Sequence, residues 1–99
     1  MSAYSVARPA YNDLRAIASF TATTWGRDQA KHHSRSFEAC FSLLASQPEL
    51  GRACDGIRKG LRRHENGKHI VFYRLTERGV RILRVMHQQR LPDTMEIGW

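Results

Sequence analysis

The sequence predicts a two-layer α+β domain in the order β-α-α-β-β-β, an antiparallel sheet with a helical hairpin packed on one face. Three observations carry this. Apolar residues recur at helical spacing between Pro9 and Pro48, strand-type residues fill the stretch from Leu61 to His87, and 99 residues leave room for one modest core. The chain, 1–99, therefore reads as a single domain, with 91–99 as a C-terminal tail.

Ala3-Tyr4-Ser5-Val6-Ala7 alternates small, aromatic and β-branched residues and stops at Pro9, as a short strand does. Pro9 suits the first turn of a helix, where its missing N–H costs nothing. Leu14, Ile17, Ala18, Thr21 and Trp25 then form a helical stripe, Asp13 is expected in the first turn, and Gly26 closes the helix. Asp28 is the expected N-cap of a second helix, with Ala30, His33, Phe37, Cys40, Phe41 and Leu44 on one stripe and Lys31, Arg35 and Glu38 opposite; Pro48 ends it. So short a connection at Gly26-Arg27 folds the helices into a hairpin.

Pro48 to Gly60, rich in glycine, reads as a loop. Leu61–Glu65 is a strand leading into Asn66-Gly67, the sequence of a type I′ hairpin turn. The nearly unbroken apolar run within His69–Thr76 fits a central strand buried on both faces. A turn at Glu77-Arg78-Gly79 precedes the last strand, Val80–His87. These three strands form a meander, and the first strand must join it to pair its own edge.

Composition narrows the setting. Hydrophobic residues make up 41% and charged residues 25%, which excludes wholesale disorder. No apolar run nears the roughly 20 residues of a membrane span, and the N-terminus lacks the apolar core of a signal peptide. Cys40 and Cys54 read as free thiols in a reducing cytosol, so a cytoplasmic protein is expected. The formal net charge is +7, and 11 of the 16 basic residues lie after Leu50. That excess points to an acidic partner.

No phosphate-cradling glycine loop, CxxC, HExxH or GxSxG signature occurs. No cofactor and no metal site are expected: His32 and His33 point about 100° apart on a helix and do not share an ion. His69 and His87 stand near the ends of neighbouring strands among basic residues. Arg58, Arg62, Arg63, Lys68, Arg74, Arg84 and Arg90 are the candidate target-binding patch. An imidazole beside such cations can act as general acid or base on RNA, with Arg84 steadying a phosphate; the same patch can also bind without reacting. Phe72 and Tyr73 point to opposite faces of their strand, so at least one is core and a stacking platform for bases is poorly supported.

Taken in order, several stretches resemble the ParE branch of the RelE/ParE toxins of bacterial type II toxin–antitoxin pairs. They are A-x-x-D-L-x-x-I (Ala10, Asp13, Leu14, Ile17), W-G-x-x-Q-A (Trp25, Gly26, Gln29, Ala30), P-x-L-G-R (Pro48, Leu50, Gly51, Arg52), I-R-x-G-L-R (Ile57, Arg58, Gly60, Leu61, Arg62), G-K-H-I-V-F-Y-R (Gly67 to Arg74) and I-L-R-V-M-H-Q-x-R (Ile82 to Gln88, Arg90). The resemblance runs from Tyr4 to Arg90 and includes the element order. It implies a toxin that inhibits DNA gyrase, contacts DNA only indirectly, avoids membranes and is neutralised by a ParD-like antitoxin in a hetero-oligomer.

The alternative that the superfamily offers is a ribosome-dependent mRNA endonuclease of the RelE type. In that branch strand arginines and lysines and a C-terminal tyrosine carry the cleavage. Here His69 matches the strand arginine and no tyrosine follows Tyr73, although some ribosome-dependent relatives use histidines, which would make His69, His87 and Arg84 the catalytic set. A toxin-derived module kept only for partner binding or transcriptional autoregulation is the third reading. Tyr11, Ile17, Phe20 and Phe41 cannot all face so small a core, and they are the expected antitoxin-binding residues on the helical hairpin.

Overall fold

β1 (Ala3–Val6) leads straight into two helices, α1 (Arg8–Trp25) and α2 (Arg27–Ser46). The structure is a computed structural model and describes residues 3–91, so the expected tail lies, beyond Leu91, outside the described residues. Pro9 occupies the first turn of α1. Gly26 alone separates the helices. With φ at +98° it closes α1, its N–H donating to Ala22 O at 3.0 Å, while its own carbonyl accepts from Ala30 N at 3.1 Å and opens α2. Asp28 is thus inside the first turn of α2 and is not its N-cap. Asp13 likewise lies beyond the first turn of α1, because that helix starts at Arg8.

The stretch expected as a loop contains β2 (Arg52–Ala53), and the meander follows as β3 (Arg62–Asn66), β4 (His69–Thr76) and β5 (Gly79–His87). The sheet order is β1-β5-β4-β3-β2. β3, β4 and β5 pair antiparallel, as expected, and β2 adds antiparallel to β3, but β1 joins β5 in parallel, so the sheet is mixed. Parallel neighbours need a long crossover, and the chain between β1 and β5 includes both helices. The β3–β4 turn also differs from the type I′ expectation. Asn66 pairs with His69, which leaves Gly67-Lys68 as the two central residues. Only Gly67 has positive φ, at +62°, the sign pattern of a type II′ turn.

Val71, Tyr73, Val80, Ile82 and Val85 pack against Phe37, Cys40, Phe41 and Leu44 of α2 and Ala10 of α1. The spacing 80, 82, 85 departs from strict alternation because the β4–β5 register slips between Phe72 and Tyr73. One extra residue on β5 makes a bulge and puts Val85, rather than Arg84, into the helix-facing core. Phe72, Ile70, Leu61 and Leu83 form a second buried cluster. β4 is therefore buried on both faces, as its apolar run predicts.

Tyr73 also ties down the loop after α2. Its hydroxyl accepts from Gly51 N at 2.8 Å and donates to Pro48 O at 2.9 Å. Arg62 adds bonds from its Nη2 to Glu49 O and Gly51 O, at 3.0 and 2.6 Å. No helix among the described residues is long and apolar enough to cross a membrane.

Candidate functional site

An open groove of about 970 Å³ runs between α1 and the end of the sheet where β4 begins and β5 ends. Ile17, Phe20 and Trp25 of α1 form its apolar wall, while His33 of α2, His69 of β4 and His87 of β5 stand on the other side with Lys68 and Arg90. Phe20 is 61% exposed and Trp25 72%, so these rings have no core to fill. Trp25, expected on the buried stripe of α1, lies in the last position of the helix and lines the groove instead. Among the described residues neither Lys68 nor Arg90 makes an ion pair.

The histidines converge. His69 and His87 are direct cross-strand partners with ring centroids 5.4 Å apart. His33 reaches His69 from α2 at 5.2 Å, and Phe37 stands edge-on to His69 at 5.4 Å. Burial, followed by the neighbouring His33 and His87, pushes the His69 pKa down to about 4, so its ring is neutral near pH 7. Burial and then His32 also lower His33. The backbone N–H of Gln89 donates to His87 Nδ1 at 3.1 Å, which leaves the proton of the neutral ring on Nε2. Among the described residues no group of three or more histidines, cysteines or carboxylates is arranged to hold a metal ion.

Arg84 meets Asp13 at the edge of the same groove. Nε and Nη2 donate to the two carboxylate oxygens at 2.7 and 3.0 Å, and Val85 N donates to Asp13 Oδ2 at 3.0 Å.

The basic residues do not form one patch. Lys68 and Arg90 lie at the His69 end of β4, while Arg84 stands opposite Phe72 in the middle of that strand. Arg62, opposite Tyr73, and Arg74 lie further along it, Arg74 roughly 17 Å from the His69 end. Arg62 is bound to loop carbonyls, and Arg63 stacks over Phe72 at 5.9 Å with Nη2 3.8 Å from Glu65 Oε1. Arg58 is exposed on the loop before β3.

The expected docking set also divides. Phe41 is 2% exposed and stacks edge-on to Tyr4 at 5.5 Å, so it belongs to the core. Tyr11 is 56% exposed, yet it is nine residues from Phe20, about half a turn in angle, and lies on the opposite flank of α1. Only Ile17 and Phe20 of the four line the groove.

The family model for the ParE toxin of the type II toxin–antitoxin system, parDE, matches residues 4–92. The chain belongs to the ParE toxin family. It is 38% identical over 88 residues to Toxin ParE1 of Caulobacter vibrioides, covering 89% of this chain and 91% of that one. It is equally identical over 89 residues to Toxin ParE1 of Mycobacterium tuberculosis, with the same coverage. The fold is shared with a structure of the chromosomal ParDE system from P. aeruginosa at a TM-score of 0.73 and 21% identity, over 88% of this chain and 96% of that one.

In this ParE toxin three groove residues serve elsewhere than the sequence pattern expects. His33 reads as part of the α2 core stripe, and its position four residues before Phe37 is the signal that it points inward. Asp13 reads as a helix-dipole residue and Trp25 as core, yet both line the groove.

Proposed function

We propose that this ParE toxin arrests replication by binding DNA gyrase as a protein inhibitor, with no chemical step of its own. A ParD-like antitoxin neutralises it in the cytoplasm by laying an acidic, amphipathic segment in the groove. The groove carries the antitoxin part of this reading. It combines an exposed apolar wall, Phe20 and Trp25, with two cations unpaired among the described residues, Lys68 and Arg90, which is the chemistry that fits an amphipathic acidic helix. That the structure with the shared fold comes from a ParDE system supports a ParD-like partner. Gyrase as target follows from the ParE resemblance, and contact with DNA is indirect, through gyrase or the antitoxin. The engagement of Arg84 by Asp13 and the burial of Tyr73 favour binding over RNA cleavage, since both side chains are committed to the fold.

Purified toxin is expected to impair supercoiling by gyrase, and its expression to give filamentous cells with an SOS response. Intact supercoiling at saturating toxin, together with codon-linked mRNA cleavage on ribosomes, overturns the proposal.

One observation favours the nuclease as a second reading: His69 and His87 face each other in an open groove beside Lys68 and Arg90. Loss of a general acid or base costs about 10²–10⁴-fold in rate. A folded His69→Gln, His87→Gln double variant that is wholly non-toxic supports cleavage, and retained toxicity excludes it.

A further inference from the structure

Three imidazoles from three different elements meet at the base of the groove. His69 stands between His33 and His87 at ring separations of 5.2 and 5.4 Å, with Phe37 against it. Together these contacts tie the first half of α2 to the open end of the β4–β5 hairpin.

Among the described residues the charges around the cluster are one-sided. α1 contributes Asp13, whose oxygens are taken by Arg84 and Val85 N, and Thr21, whose hydroxyl donates to Ile17 O at 2.8 Å and lies 3.4 Å from His33 Nδ1. α2 contributes His32 beside His33. β3 places the neutral Asn66 opposite His69, its amide donating to Ser36 Oγ at 3.2 Å. Lys68 precedes His69, and Arg90 follows the end of β5. Among the described residues, a proton entering the cluster therefore meets imidazoles and cations, and Asp13, the carboxylate that lines the groove, is already paired.

We propose that the three rings form an acid-released latch: neutral, they hold the first half of α2 against β4 and β5, and protonation drives His33 from His69 and widens the groove. Uncharged rings at these separations attract by packing, whereas two charged ones in a half-buried site repel at low effective dielectric. Such a latch makes the groove a different receptor in acid than at neutrality. That its occupant is an antitoxin rests on the preceding reading; the latch itself does not, and it is testable on the toxin alone.

The test is amide hydrogen exchange of the full chain, corrected for intrinsic rates, at pH 7 and pH 4.5, with the histidine rings followed by NMR. Exchange in residues 27–37 should rise at least about tenfold in acid while the β1–β5 and β4–β5 pairing stays protected. His69→Phe keeps the aromatic contacts and removes the proton site, and it should abolish the rise; His33→Phe is the second variant should the first not fold. No acid response in the wild-type chain overturns the latch. So does an equal response in a folded variant, or a rise spread evenly over α1, α2 and β5.

Discussion

Asp13 of α1 and Arg84 of β5, 71 residues apart in the chain, form a two-point ion pair whose carboxylate also takes the Val85 N–H. Both side chains are more than four-fifths covered. The pair clamps α1 to the sheet at the edge of the groove. Removing one partner leaves a mostly buried charge without its counter-ion, so Asp13→Ala and Arg84→Ala should each lower stability by about 2–3 kcal/mol in urea unfolding. The double variant should lose clearly less than the sum of the two. Additive losses would show that the pair is not coupled.

The Tyr73 hydroxyl predicts a second, local effect. Tyr73→Phe strands Gly51 N and Pro48 O beneath the loop and should cost about 1–3 kcal/mol. Gly51→Ala should be at least as harmful, because its Cβ would lie 2.5 Å from both Arg63 O and the Tyr73 hydroxyl. Unchanged denaturant midpoints for both variants would contradict this account of the loop.

Stability should also depend on pH through His69. Its pKa in the folded chain is about 4, against 6.5 for an unperturbed histidine. The unfolded chain therefore binds the extra proton first as acid is added. The contribution of this group is fully present above pH 6.5 and is lost as pH falls from 6.5 towards 4. The stability difference between wild type and His69→Phe should shift across that window and stay level above it. A difference constant from pH 7.5 to 4.5 would sink the assignment.

The groove makes a directional prediction for the antitoxin complex. Phe20→Ser and Trp25→Ala should raise the dissociation rate, whereas Tyr11→Ala, on the opposite flank, should leave it within about twofold. Raising the salt should slow association and change dissociation little, since steering by the +7 charge is screened over about 10 Å while the apolar anchors are not. Surface plasmon resonance on the toxin and its antitoxin measures all four, and a Tyr11 variant that weakens binding most would place the contact on the other flank.

Local patterning was enough for every element but the two-residue β2, and for their order. Helical spacing delimited α1 and α2, Pro9 and Gly26 marked their ends, and the apolar run of His69–Thr76 identified a strand buried on both faces. These signals live within a few residues of one another, so the chain displays them directly. The resemblance to the ParE toxins was legible for the same reason, as short motifs in register.

Tertiary structure decided everything that depends on residues far apart meeting. β1 pairs in parallel with β5 across most of the chain, and no local pattern states a partner's direction. The bulge on β5 shifts the alternation so that Val85 faces the helices, a slip visible only against β4. Composition pools seven basic residues into one patch, but their spread along β4 and its neighbours and their bonds to Asp13 and to loop carbonyls divide them. His33 joins His69 and His87 only because α2 crosses the sheet at that point. A sequence encodes which face a side chain takes on its own element; which distant element covers that face is set by the packing of the whole core.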